Sequence, residues 1–222
     1  MKNEAVKRIL SSLILIPVAF FFIFKGSIFF MFFLGIFFLF ASYEWIKMSK
    51  NELIKLLGIA YLLFVSYSAY LLRGDYLHTF YQFLFVIIIC IFSDIGGYVF
   101  GKLFKGPKLT KISPNKTYSG MIGSFFLAII AAYLFKISIF TFVLPGDIFQ
   151  LSNLNDFNFL LIILFISFVS QIGDLIISYF KRLSKIKNTG NLIPGHGGLL
   201  DRVDGIIFAI PTSYILFKVL IS

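Results

Sequence analysis

The sequence predicts an all-α fold, a polytopic transmembrane helical bundle of about seven helices with its N-terminus in the cytoplasm. Three observations carry that expectation. Apolar residues make up 59% of the 222-residue chain and the mean hydropathy is +0.95, so lipid rather than water must cover most of the outside. Seven apolar runs approach or exceed the ~20 helical residues that a hydrocarbon core requires. The 20 basic residues also sort by side once those runs are laid across a bilayer.

The runs lie near 9–24, 27–43, 53–72, 77–100, 119–144, 157–180 and 203–220. The first two are short and separated only by Lys25-Gly26, which suits a tight hairpin or a partly re-entrant pair. Lys2, Lys7 and Arg8 precede run one as they would a signal peptide, but Phe20-Phe21-Phe22 stands where a small-residue cleavage site belongs. It reads as a retained helix. Lys47, Lys50 and Lys55 lie between runs two and three or at the very start of run three. Lys102, Lys105, Lys108, Lys111 and Lys116 follow run four, and Lys181, Arg182, Lys185, Lys187 and Arg202 follow run six. With the N-terminus cytoplasmic, all of these share one side, and only Lys25, Arg73, Lys136 and Lys218 fall on the other. That asymmetry accounts for most of the formal net charge of +10 and removes the need for a nucleic-acid partner.

A single integral-membrane domain is expected over 1–222, with N-terminal membrane helices in 1–75 and the chemistry-bearing helices and cytoplasmic loops in 76–222. Residues 151–158, rich in Asn and Asp, read as a mobile external loop. Cys90 is the single cysteine and can form no intramolecular disulfide.

Polar residues inside apolar helices are costly and therefore informative. Asp94 lies near the cytoplasmic end of run four, in Ser93-Asp94-Ile95-Gly96-Gly97, and Asp174 lies in the same half of run six, in Gln171-Ile172-Gly173-Asp174. Gln171, Asp174, Ser178 and Lys181 recur at steps of three and four, which puts them on one helix face. One Ser or Gln would serve as a hydrogen-bonding seam between helices. A stripe that faces a second carboxylate on a nearby helix and ends in Lys181-Arg182 points to a functional cavity.

The last cytoplasmic loop reads Leu192-Ile193-Pro194-Gly195-His196-Gly197-Gly198. Its three glycines let backbone N–H groups converge on an anion. Asp201, Arg202 and Asp204 follow as run seven begins. One acid at a helix start ordinarily satisfies the dipole and the free N–H groups. Two acids beside an arginine, after a glycine nest, point to a divalent-metal and phosphate site. Carboxylate oxygens without clustered His or Cys favour Mg²⁺ over zinc, and His196 alone reads as a hydrogen-bond partner. In the other large cytoplasmic loop, Ser113 reads as an N-cap and Pro114 as the first residue of helix five. That reading aims free N–H groups and Lys116 at an anion such as a nucleotide phosphate.

Taken in chain order, Asp94-Ile95-Gly96-Gly97-Tyr98, Ser113-Pro114-Asn115-Lys116-Thr117, Gln171-Ile172-Gly173-Asp174, Ser178-Tyr179-Phe180-Lys181-Arg182, Lys187 and the run from Pro194 to Asp204 resemble the motifs of the phosphatidate cytidylyltransferase family. The resemblance covers about 91–205; the N-terminal helices match in character only. Two positions depart from the family pattern: Asn188 stands where the family usually has Asp, and Ser119 where it often has Glu or Gln. The chain is also shorter than many members, so one or two fewer N-terminal helices are expected.

The resemblance implies an enzyme of phospholipid biosynthesis, in which an oxygen of phosphatidic acid attacks the α-phosphorus of CTP to give CDP-diacylglycerol and pyrophosphate. It implies catalytic roles for Asp174, Ser178, Lys181, Arg182, Asp201, Arg202 and Asp204. Substrate binding would fall to Asp94, Ser113, Asn115, Lys116, Thr117, Lys187, Pro194, Gly195, His196, Gly197 and Gly198. Mg²⁺ would be held by Asp174 and Asp201, with Asp204 and Asp94 as further candidates and a second cation left open. The partners implied are CTP from water and phosphatidic acid from the bilayer, with a second copy of the chain as a candidate in a homodimer. The location implied is the inner (cell) membrane, with the active site facing the cytoplasm. Three other readings compete. One is a CTP-dependent transferase acting on another lipid phosphate or a lipid alcohol. A transporter would need access from both faces, whereas the motifs here are all cytoplasmic. A CDP-alcohol phosphotransferase would carry a DG–AR–G–D–D spacing that is absent.

Overall fold

The structure is a computed structural model that describes residues 2–110, 112–142, 151, 154–193, 195 and 197–221; the side chains of 2–10, 12, 140–142 and 221 fall outside the description. Its helices are α1 (Lys2–Lys25), α2 (Ser27–Met48), α3 (Glu52–Arg73), α4 (Leu77–Phe104), α5 (Tyr118–Phe142), α6 (Asp156–Leu183), α7 (Leu200–Val203) and α8 (Ile206–Ile221). Every apolar run of the sequence forms a helix. Among the described residues, α2 through α6 are the 5 helices long and apolar enough to cross a membrane, which makes the chain a multi-pass membrane protein. The apolar part of α1 (Leu13–Lys25) and α8 are shorter. Run seven is divided: α7 is a single turn, and Asp204-Gly205 separates it from α8.

The first two helices form the tight hairpin that their spacing suggests. Gly26 adopts a φ of 64° at the turn. Arg73, at the end of α3, donates to Ile23 O at 2.9 and 3.0 Å and to Phe24 O at 3.3 Å. A cation over the last carbonyls of α1 satisfies acceptors that have no partner within the helix. A Cβ at Gly26 would overlap that guanidinium.

Two loop expectations are corrected. Helix five begins at Tyr118, not Pro114. Lys116 N–H donates to Ser113 O at 3.0 Å, which closes a turn with Pro114 in second place, where its fixed φ is already suitable. Leu109 N–H to Lys116 O at 2.8 Å and Tyr118 N–H to Pro107 O at 3.1 Å make this turn the tip of a short hairpin. The residue that caps α5 is Thr117, whose Oγ1 accepts from Gly120 N–H at 3.1 Å. The external loop read over 151–158 ends earlier than expected, because α6 starts at Asp156 and Asn155 caps it by accepting from Asn158 N–H at 2.8 Å. Ser152 and Asn153 lie outside the described residues.

Close helix approach sets where the polar residues meet. Gly96 and Gly97 of α4 face Gly123 and Gly120 of α5, so that a Cβ at Gly120 would stand 2.7 Å from Gly97 O. A Cβ at Gly173 of α6 would stand 2.9 Å from Asp204 O, and one at Gly205 would stand 2.9 Å from Ser170 O. With no side chains in the way, α6 runs directly against the α7–α8 junction. One apolar core lies along α4, α5 and α6, around Phe85, Ile89, Ala128, Ile163 and Ile166. A second joins both ends of the chain: Ala41 and Trp45 of α2 and Leu62 of α3 pack with Ile177 of α6, Leu200 of α7 and Ile207 of α8.

Candidate active site

The stripe read from the sequence lies along one side of α6. Ser178 Oγ donates to Asp174 Oδ1 at 3.3 Å. Lys116 arrives from the tip of the α4–α5 hairpin, where the turn at Ser113 and the cap at Thr117 fix its backbone. Its Nζ stands 2.6 Å from Asp174 Oδ2 and also donates to Gln171 O at 3.3 Å. Farther along α6, Lys181 Nζ pairs with Asp201 Oδ1 at 2.9 Å. Both pairs are partly buried, where screening is weaker than in open water.

Asp204 completes the cluster. Its carboxyl is in hydrogen-bond contact with that of Asp174, and Asp94 and Lys181 lie within electrostatic reach. Two carboxylates this close repel each other, and a cation between them offsets that repulsion. Gly173 lets α6 pack onto the backbone of Asp204, which brings the Asp174 and Asp204 carboxyl groups together. Asp201 is turned into its own loop: besides Lys181, it accepts from Thr189 N–H at 2.9 Å and Gly198 N–H at 3.0 Å through Oδ2.

Among the described residues, no three His, Cys, Asp or Glu side chains are grouped to hold a metal ion. The oxygen donors that do converge are Asp174 and Asp204, with Ser178 beside them. That is a hard-oxygen set of the kind Mg²⁺ takes, completed by water and substrate phosphates. The repulsion between the two carboxylates is what such a cation would relieve.

The glycine loop is a tight turn rather than an open row of donors. Ile193 and Gly197 exchange both backbone hydrogen bonds, at 2.9 and 3.2 Å, and Gly195 and Gly197 take φ values of 78° and 94°. Those values fall in the region where glycine has no Cβ penalty. The N–H groups of Gly197 and Gly198 are thus engaged within the loop, the latter by Asp201. Pro194 and His196 lie outside the described residues.

The other expected residues surround this centre. Arg182 Nε donates to Ile112 O at 3.5 Å, which ties the end of α6 to the hairpin. Asn115 is exposed in the turn, and Lys187, Asn188 and Arg202 are exposed around the last loop. The Asn188 side chain lies against Gly197. Ser119, the other departure from the family pattern, is 3.0 Å from Thr117 Oγ1 and accepts from Gly106 N–H at 3.3 Å, so it belongs to the base of the hairpin.

One acid at this end of the bundle is missing from the residues singled out in the sequence. Glu44 of α2 is only 1% exposed. Its Oε1 accepts from Leu199 N–H at 2.8 Å, and its Oε2 accepts from Leu200 N–H at 2.9 Å and from Thr189 Oγ1 at 2.8 Å. A Cβ at Gly198 would overlap Glu44 and Thr189. The apolar run of α2 reads as ending at residue 43, but the helix continues to Met48, so Glu44 is an acid within a helix. That is the same signal that marks Asp94 and Asp174.

Compared with known proteins, residues 51–220 match the family model described as the cytidylyltransferase family. The chain is 38% identical over 159 residues to a phosphatidate cytidylyltransferase of Brucella suis biovar 1 (strain 1330), covering 71% of this chain and 54% of that relative. It is 38% identical over 183 residues to one from Haemophilus influenzae, covering 78% and 60%. With one from Staphylococcus haemolyticus it shares 37% identity over 162 residues, covering 72% and 57%. The chain thus spans between 54% and 60% of the length of these relatives.

Proposed function

The chain belongs to the cytidylyltransferase family, and we propose that within it this protein activates phosphatidic acid with CTP, giving CDP-diacylglycerol and pyrophosphate. One observation carries the reading: α6 brings two lysine–aspartate pairs, Lys116–Asp174 and Lys181–Asp201, to the same end of the bundle, with Asp204 in contact with Asp174. The reaction asks for that kind of arrangement. An oxygen of the phosphatidate phosphate forms a bond to the α-phosphorus of CTP, while the bond from that phosphorus to the bridging oxygen breaks and its electron pair leaves with pyrophosphate. A phosphate monoester is already anionic near neutral pH, so no strong general base is needed. The obstacle is the repulsion between two anions and the charge that builds on the departing pyrophosphate, which positioned cations offset.

Lys116 and Lys181 exchange their aspartate partners for phosphate oxygens when substrate enters, and Arg182 and Arg202 stand at the rim. Ser178 orients Asp174, while Ser113, Asn115 and Thr117 shape the hairpin that delivers Lys116. Lys187, Gly195, Gly197 and Gly198 flank the opening to water. Mg²⁺ would be held by Asp174 and Asp204, with Asp94 and Asp201 as the neighbouring acids, and would supply positive charge to the triphosphate. The site faces the cytoplasm at the inner membrane, so CTP arrives from water and the lipid enters sideways; the crowding of basic residues at this end supports that orientation.

The test is product formation. Purified protein with Mg²⁺, CTP and phosphatidic acid should release pyrophosphate and form a CMP-bearing lipid, with ATP a poor substitute. Pyrophosphate release with no lipid dependence would overturn the proposal, and activity only with a lipid alcohol would favour the competing CTP-dependent transferase.

A further inference from the structure

We propose that Glu44 is a positioning residue of the active site: from outside the family-matched segment 51–220, it holds segment 189–200 so that Asp201 meets Lys181. The inference rests on the cytidylyltransferase reading above for its functional consequence, but the contact itself does not.

The geometry is specific. Glu44 is fully enclosed, and its two carboxylate oxygens accept from three donors in the stretch that leads from α6 into α7: Thr189 Oγ1, Leu199 N–H and Leu200 N–H. Two of these donors are the free N–H groups that start α7. A carboxylate there satisfies them and stands at the positive end of the turn. Asp201 grips the same segment from the other side, through Thr189 N–H and Gly198 N–H. Thr189 is therefore shared: its side chain answers to Glu44 and its backbone to Asp201. The two acids clamp one loop, and Lys181 links that clamp to α6.

The end of α2 that carries Glu44 is tied to the helices beside this loop. Trp45, next to Glu44, donates from Nε1 to Ile54 O at 3.0 Å and stacks edge-on against Phe180 with ring centroids 4.9 Å apart. Ser184 Oγ, at the end of α6, donates to Met48 O. The C-terminal half of α2 is thus anchored to α3 and α6, and Glu44 transmits that fixed position to the loop. Charge-assisted hydrogen bonds of this kind, made in a buried setting, are stronger than neutral ones. A misplacement of ~1 Å in catalytic groups costs about a hundredfold in rate, so loosening the loop should register in activity although Glu44 touches no substrate.

The experiment compares the wild-type full-length protein with Glu44→Gln, Thr189→Val and the double variant, all reconstituted in the same lipid. Hydrogen exchange read on the peptides covering 189–200 should be about tenfold faster or more in Glu44→Gln, the factor expected for loss of a charge-assisted hydrogen bond, with α4 and α6 unchanged. Turnover should fall about a hundredfold. In the double variant the added effect of Thr189→Val on turnover should shrink, since its partner is already gone. A purely structural role for Glu44 in α2 would leave 189–200 protected and make the two effects add, and either result overturns the proposal. Should Glu44→Gln fail to insert, Thr189→Val removes one contact alone: faster exchange across 189–200 supports the clamp, and unchanged exchange overturns it. Wild-type protein without pyrophosphate release would sink the functional reading, while the exchange comparison would still decide the clamp.

Discussion

Asp174 and Asp201 both pair with a lysine, yet their remaining contacts assign them different work. Asp174 faces Lys116, Ser178 and the carboxyl of Asp204, so an amide in its place removes the charge that faces Lys116 while easing repulsion with Asp204. Asp174→Asn is expected to fold and insert normally and to lose about a thousandfold in rate, equivalent to ~4 kcal/mol of transition-state stabilisation. Asp201 accepts from three donors at once, and an Asn there must turn an NH₂ towards one of them. An unmade buried hydrogen bond costs ~1–3 kcal/mol, so Asp201→Asn should lower the unfolding temperature as well as the rate. Thermal unfolding in detergent beside a pyrophosphate assay separates the two; a near-normal rate for Asp174→Asn would remove it from the site. At this scale the sequence was legible wherever spacing alone decides. Gln171, Asp174, Ser178 and Lys181 fall on one face because a helix has 3.6 residues per turn. It was not legible where an acid's partners come from distant segments. Nothing local tells that Asp174 meets Asp204, or that Glu44 reaches a loop 145 residues away.

Between elements, contact depends on the absence of side chains. Helices α4 and α5 approach closely, with Gly96 packed on the backbone of Gly123 and Ser124. A methyl group there has backbone rather than a flexible side chain to displace. Gly96→Ala is expected to destabilise the protein by about 1–3 kcal/mol, the usual cost of overpacking, and to shift Lys116 away from Asp174 by moving the hairpin. Equal unfolding temperatures for Gly96→Ala and wild type would contradict that packing. Helix existence was readable from hydropathy, because a run of apolar residues long enough to span has few alternatives. Helix starts were less so. Ser113-Pro114 carries the signature of a helix start, but the same two residues suit a turn equally well, and Thr117 with Gly120 three residues on made the better cap. The break at Asp204-Gly205 has no local turn signature either, and Asp204 keeps helical φ and ψ of −56° and −36° although the helix divides there.

Over the whole molecule, the N-terminal helices and the motif-bearing helices share one core, and the basic residues gather at the end that carries the site. Labelling can check the proposed cytoplasmic orientation of that end. A cysteine introduced at Asp75, exposed between α3 and α4, should react with an impermeant reagent outside intact cells, and one at Lys105 only after permeabilisation. Cys90 is buried and adds no background. Labelling at 105 from outside would place the lysine–aspartate pairs on the wrong face for cytoplasmic CTP. The most direct measurement follows the phosphorus. Purified protein is given phosphatidic acid and Mg²⁺ with CTP labelled either at the α- or at the γ-phosphate, and the lipid phase is then extracted. The α-label is expected to enter the lipid and the γ-label to remain in water as pyrophosphate. Entry of the γ-label into lipid, or of neither label, would contradict nucleotidyl transfer at this site.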